Sequence, residues 1–234
     1  MERYFVDIIN DEIIISEKQI HQIIKVMRNN IGDQITLVND GYFYLCEITS
    51  ISPFKFKIID KSLADTELKK DITLLYCLPK GDKLEFAVQK ATELGVKKIV
   101  LVSSSRTIMK IKKEDEARKL ERFRKIALEA SEQCSRAFVP QIEGVISIKD
   151  IGKYKSSLNL IAYENERALN ISESLLKDHD SISILIGAEG GFSLSEVESA
   201  NELGFQSVCL GNRILRSETA VCYALSLLSH YSEE

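Results

Sequence analysis

The stretch Ser181–Glu218, SISILIGAEGGFSLSEVESANELGFQSVCLGNRILRSE, decides how the rest of the chain is read. An apolar, β-branched run, Ile182 to Ile186, has the composition of a buried strand and stops at Gly187-Ala-Glu-Gly-Gly191. Ser193, with Glu196 three residues on, forms a capping box that opens a helix, and Gly204 closes it. A second short strand, Val208 to Leu210, then ends in Gly211-Asn-Arg-Ile-Leu-Arg-Ser-Glu218. Two strands thus end in glycine-bearing loops, and each loop leads into a helix. In a parallel sheet both loops lie at the carboxyl edge, where open α/β proteins bind ligands.

Working outward, strand and helix alternate over the C-terminal two-thirds. Strands are expected at Ile72 to Leu78, Ile99 to Val102 and Leu158 to Tyr163. Helices are expected at Leu84 to Leu94 before Gly95, Lys113 to Cys134, Ile171 to Leu176 and Thr219 to Tyr231. Such alternation implies a mostly parallel sheet with helices on both faces. The first sixty-odd residues differ, with short strands at Arg3–Val6, Glu12–Ile15, Gln34–Val38, Tyr42–Ile51 and Lys55–Ile59. Turn signals separate them at Asn10-Asp11, Gly32-Asp33, Asn39-Asp40-Gly41 and Ser52-Pro53. One helix interrupts, capped by Ser16 with Gln19 and carrying Ile20, Ile23, Ile24 and Met27 at helical spacing. A small β-barrel over residues 1–68, followed by an α/β domain over 69–234, is the expected organisation, with the polar stretch Lys61–Lys70 as the boundary.

Composition narrows the function classes. With 44% hydrophobic and 28% charged residues the chain is of ordinary globular make-up, and no apolar run approaches a membrane span. Five scattered cysteines form no CxxC pair and the three histidines are isolated, so reduced core thiols, no metal site and a cytoplasmic location are expected. Net charge is −4, yet Lys80–Arg136 holds 15 Lys+Arg against 9 Asp+Glu. That basic middle fits a phosphate-tracking face and fits a solvated helix equally well. There is no GxxxxGK[ST], GxSxG or early GxGxxG, which removes Walker-type, hydrolase-elbow and dinucleotide fingerprints. Each glycine loop alone fits a tight turn. Two arginines three apart around Ile214 and Leu215 fit either a surface loop or a pocket wall that also reaches a phosphate.

Gly187-Ala-Glu-Gly-Gly-Phe-Ser193 with Leu210-Gly-Asn-Arg-Ile-Leu-Arg-Ser-Glu-Thr-Ala220 resembles the RsmE family, the 16S ribosomal RNA (uracil-N3)-methyltransferases of the SPOUT superfamily. Arg3–Val6, His21 to Asp33, Gln89–Val96 and Glu129–Arg136 with Pro140 extend the resemblance along nearly the whole chain. Ala188 stands where the family usually has proline, and Ser135 where glycine is commoner. The resemblance implies an N-terminal PUA-like β-barrel that binds RNA and a SPOUT methyltransferase domain with a C-terminal trefoil knot. It also implies a homodimer, S-adenosyl-L-methionine as cofactor, and 16S rRNA within the small ribosomal subunit as substrate.

Carried over residue by residue, the cofactor would be held by Tyr163, Glu164, Ile186, Gly187, Glu189, Gly190 and Gly191. Leu210, Gly211, Ile214, Leu215, Thr219 and Ala220 would complete that site. Arg216, Arg213 and Glu218 are the candidates for chemistry. Arg3, Arg28, Lys80, Arg106 and Arg136 are the candidates for phosphate contacts. A non-catalytic rRNA-binding scaffold, or a related knotted enzyme acting on tRNA or a ribose 2′-hydroxyl, remains open at this stage.

Overall fold

The computed structural model describes residues 2–9, 12–107, 109–175 and 177–233. By proximity in space they divide into two units, Met1–Glu67 with Leu128–Val139, and Leu68–Ala127 with Pro140–Glu234.

The N-terminal unit is built from β1 (Arg3–Phe5), β2 (Asp7–Ile9), β3 (Glu12–Ile14), α1 (Glu17–His21), β4 (Gln34–Asn39), β5 (Tyr42–Ile51) and β6 (Phe54–Leu63). Strands β1-β4-β5-β6 form one sheet and β2-β3 a separate antiparallel ribbon. β1 runs parallel to β4, and the β4-β5-β6 ladders are antiparallel. The Asn10-Asp11 turn expected between β2 and β3 lies outside the described residues. Asp40 and Gly41 both have positive φ, 44° and 78°, which suits the twist of the β4–β5 hairpin. Ser16 caps α1 with Gln19 as the reciprocal partner, as the local sequence dictates. The expected apolar face does not continue as one α-helix, because Gln22–Val26 forms a π-helical turn. The wider turn buries Ile23 and leaves Val26 and Met27 exposed. Ile23 joins Tyr4, Ile35, Leu37, Tyr44, Cys46 and Ile48 in this unit's core.

The C-terminal unit holds a six-stranded sheet of order β12-β10-β11-β7-β8-β9, with every pair parallel. Its strands are β7 (Asp71–Cys77), β8 (Lys98–Ser103), β9 (Gln141–Ser147), β10 (Leu158–Ala162), β11 (Ser181–Ile186) and β12 (Gln206–Val208). The helices are α2 (Lys83–Glu93), α3 (Lys113–Cys134), α4 (Ile171–Ser174), α5 (Leu194–Glu202) and α6 (Ser217–Glu233). Leu176, the expected end of α4, lies outside the described residues. α3 has the bounds its apolar spacing predicts, and from Leu128 onward it belongs to the N-terminal unit.

Alternation along the strands sends residues to two faces. Leu75, Cys77, Val100, Val102, Ile161 and Leu185 pack with Val197 and Ala200 of α5 and with Ile151 of the 3₁₀ turn Ile148–Tyr154. Tyr76 points the other way, where its hydroxyl donates to Ser217 Oγ at the start of α6 (3.1 Å), and α6 packs along α2. Helices therefore cover both faces.

The sequence reading did not foresee β9. Its central Gly144 looks like a strand breaker, but a Cβ there would strike the Glu116 carboxylate of α3. The ladder to β8 shifts register at this glycine, and Val145 N–H donates to Glu116 Oε1 (2.8 Å).

Candidate active site

All six strands point the same way, so the loops leaving β10, β11 and β12 meet at one edge. They enclose a cavity of about 450 Å³. The first wall is Ala162-Tyr163-Glu164 with Arg167. Tyr163 N–H donates to Val208 O (3.0 Å), and the Glu166 carboxylate accepts from the N–H groups of Arg167 (2.8 Å) and Ala168 (2.7 Å). Those backbone amides hold Glu166 below the usual carboxylate range against a smaller opposing effect of burial.

The second wall runs from Ile186 to Phe192. A tight turn, Gly191 N–H to Ala188 O (2.9 Å), requires Gly191 at φ 61°, the left-handed region. At Gly187 a Cβ would come to 3.1 Å from the Phe192 ring, and at Gly190 to 3.0 Å from Arg106 Cβ. A side chain at either position would need its neighbour to give by a few tenths of an ångström. Beyond the turn, Ser193 and Glu196 form the capping box of α5. Buried Glu196 also accepts from Ser105 N–H (2.6 Å), fixing the loop after β8 to α5.

The third wall follows β12. Cys209 forms an isolated parallel bridge with Asn170: Cys209 N–H donates to Leu169 O (2.9 Å) and Ile171 N–H to Cys209 O (3.1 Å). Leu210 and Gly211 then turn, and Arg213 to Ser217 line the cavity before α6 begins, with Ala220 one turn in. Ile214 is 83% exposed, the most exposed large apolar residue among those described. With Leu210 and Leu215 it gives the cavity an apolar side.

Twelve of the thirteen residues expected at the cofactor line this cavity: Tyr163, Glu164, Ile186, Gly187, Glu189, Gly190, Gly191, Leu210, Gly211, Ile214, Leu215 and Ala220. Thr219 does not; it is exposed on α6. Arg213 and Arg216 line the cavity, but Glu218, expected with them, is outside it. Glu218 instead faces Lys83 of α2, whose Nζ lies 3.1 Å from Glu218 Oε2 and 2.9 Å from Glu189 Oε1. Burial raises the pKa of both carboxylates, but hydrogen bonds to Lys83 and to backbone N–H groups prevail and hold both below the usual range. Lys83 is raised by the same two partners. Arg167 and Lys83 were both missed, having no glycine, cap or motif to mark them.

The expected phosphate contacts fall in different settings. Arg28 and Lys80 are exposed. Arg3 lies over the Phe43 ring at 5.6 Å, and Arg106 donates from Nη1 to Gly190 O (3.0 Å), buttressing the second wall. Arg136 must be reassigned. Only 4% exposed, it gives Nη2 to Glu67 Oε2 at 2.6 Å and Nε to the same carboxylate, so its fork is used inside the N-terminal unit. Glu67 also accepts from the N–H groups of Ala137 and Phe138.

A family model for an RNA methyltransferase domain matches residues 66–229, and one for an RNA methyltransferase PUA domain matches residues 15–61. Ribosomal RNA small subunit methyltransferase E of Bacillus subtilis (strain 168) is 35% identical over 250 residues, spanning 100% of this chain and 98% of that protein. The chain belongs to the ribosomal RNA small subunit methyltransferase E family. A family member from Rickettsia conorii (strain ATCC VR-613 / Malish 7) is 34% identical over 94% of this chain and 91% of its own. The crystal structure of another, from Neisseria gonorrhoeae bound to S-adenosyl methionine, superposes with a TM-score of 0.85 at 29% identity, covering 98% of this chain and 97% of that one.

The residues present suit such a ligand. A cavity of about 450 Å³ is in the range for a nucleoside-sized molecule, roughly 300–1,000 Å³. Its apolar side (Ile186, Leu210, Ile214, Leu215, Ala220) suits a flat ring, and its glycine-rich backbone and the Glu164 carboxylate suit a polar, cationic end.

Proposed function

We propose that this protein is a cytoplasmic enzyme that methylates N3 of one uridine of small-subunit (16S) ribosomal RNA near the decoding centre, using S-adenosylmethionine. The observation that carries this reading is the three-walled cavity at the carboxyl edge of β10, β11 and β12, in a chain of this family. The relative from Neisseria gonorrhoeae, bound to S-adenosyl methionine, supports the choice of cofactor.

When bound, the cofactor supplies a methyl group already activated on a sulfonium sulfur. The backbone from Gly187 to Gly191 and at Leu210-Gly211 would hold its polar groups, with Ile214 and Leu215 against the adenine and Tyr163 and Glu164 closing the far side. Catalysis by such a site is mostly alignment of the acceptor. Uracil N3 carries a proton and normally pairs, so the base must be unpaired on arrival and must give up that proton to water. Arg216, with Arg213 beside it, would stabilise the resulting uracil anion or grip a neighbouring phosphate. Glu218 and Glu189 share Lys83, which helps hold both below the usual carboxylate range and so makes them weak proton acceptors, better suited to positioning.

The reading includes a PUA-like barrel that grips RNA, with Arg28 and Lys80 as exposed candidates for phosphate contact. It also includes a C-terminal trefoil knot, which the likeness to the family implies. A homodimer is supported by Phe86 and Tyr223, 44% and 40% exposed on the adjoining helices α2 and α6.

Mass spectrometry of rRNA nucleosides from a deletion strain, before and after adding the protein back, tests the reaction. N3-methyluridine should vanish and return; its persistence in the deletion strain would sink this reading. Arg216→Ala should abolish methylation and leave binding of S-adenosylhomocysteine nearly intact. Equal loss of both would move Arg216 from the chemistry to the cofactor.

A further inference from the structure

Lys83 is the first residue of α2 and does not line the cavity, yet its ammonium joins two of the cavity's walls. Nζ is 2.9 Å from Glu189 on the loop after β11 and 3.1 Å from Glu218 in the first turn of α6. Each carboxylate has a second anchor. Lys80 N–H donates to both Glu189 oxygens (3.2 and 3.3 Å), and Ser217 Oγ donates to Glu218 Oε2 (3.2 Å). Ser217 Oγ in turn accepts from the buried Tyr76 hydroxyl on β7 (3.1 Å). A cation in the first turn opposes a helix's own dipole, so Lys83 gives α2 nothing by standing there. Its two carboxylate partners account for its position. Without it, two anions would share the space it fills and would push the Gly187–Gly191 turn and the start of α6 apart.

We infer that Lys83 is a positioning residue that sets the distance between the glycine turn and the Ile214–Ser217 wall, and thereby the affinity for the methyl donor. This rests on reading the cavity as the S-adenosylmethionine site. Lys80 N–H and Lys83 on the Glu189 carboxylate, and Arg106 on Gly190 O, thus pin the turn from outside the cavity. The reacting atoms themselves never meet Lys83.

Calorimetric titration with S-adenosylhomocysteine, beside thermal melting, tests the inference on the full chain. Lys83→Met should weaken binding about tenfold, a loss of about 1.4 kcal/mol. Lys83→Arg should recover most of that loss, since a guanidinium can also span two carboxylates. Glu218→Gln should weaken binding by itself, and adding it to Lys83→Met should weaken binding no further, because both changes break one bridge. Equal affinity of Lys83→Met and wild type overturns the inference, as do additive losses or an arginine variant no better than methionine. Should Lys83→Met fail to fold, Lys83→Arg and Glu218→Gln still decide it. Wild-type protein that binds no S-adenosylhomocysteine would overturn the cofactor reading itself, an outcome separate from any change among the variants.

Discussion

Replacing Gly191 by alanine should disable the second wall of the cavity, and the size of the effect follows from the backbone. Gly191 has φ 61°, and left-handed backbone costs an L-residue roughly 1–2 kcal/mol. An added Cβ would also strike the Glu164 carboxylate across the cavity, a flexible group that can swing away at small cost. The loop then has two ways to respond. If it keeps its shape, the strain appears as lost stability, a fall in Tm of about 2–8 °C for a chain of this length. If the free protein relaxes to negative φ, the strain reappears on binding, and 1–2 kcal/mol corresponds to about a fivefold to thirtyfold rise in the Kd for S-adenosylhomocysteine. The two losses together should total at least about 1 kcal/mol. Thermal melting and calorimetric titration measure them separately. Gly191→Asn should lose less stability than Gly191→Ala, since asparagine tolerates the left-handed region better. In a Glu164→Ala background the collision is gone and the strain remains, so Gly191→Ala should still be harmful there. Unchanged Tm together with unchanged Kd for Gly191→Ala would refute this account of the turn.

Ser135 ends α3 at φ 70°, with Arg136 N–H donating back to Ser131 O, the geometry in which glycine serves best. Ser135→Gly should therefore stabilise the protein by about 1 kcal/mol in urea unfolding. Arg136→Met should destabilise by about 3 kcal/mol, and Arg136→Lys should recover only part of that, because lysine lacks the fork that Glu67 accepts. Burial pushes Glu132 up to about 7 from 4.5, with Glu129 adding to the rise and the Phe5 N–H opposing it. Because the folded pKa lies above the unfolded one, the stability this group contributes is present below about pH 4.5 and is lost as pH rises through 7. Glu132→Gln should remove that decline from a series of denaturant titrations across pH 4–8. A wild-type stability profile parallel to that of the variant would count against it.

Much of the chain was readable because local interactions decide it. The two capping boxes, Ser16 with Gln19 and Ser193 with Glu196, need only a serine and an acceptor three residues on. The bounds of α3 follow from apolar spacing, and the glycine turn after β11 from residues that tolerate positive φ. Where distant partners decide, the reading failed. No strand was expected at β9, whose Gly144 leaves space that the Glu116 carboxylate of α3 fills. Arg136 looks like a phosphate contact until Glu67 closes on it. Glu218 looks like a partner for Arg216 until Lys83, 135 residues earlier in the chain (218 − 83), takes its carboxylate.

By itself, the sequence Ser181–Glu218 determined that two strands end in ligand-ready loops, since strand propensity, glycine and capping act over a few residues. Only the tertiary structure decided that the Tyr163 loop, the glycine turn and the Ile214 loop enclose one cavity, and that Glu218 stands outside it behind Lys83. Those facts depend on the strand order β12-β10-β11-β7, and strand order depends on pairings that join residues far apart in the chain.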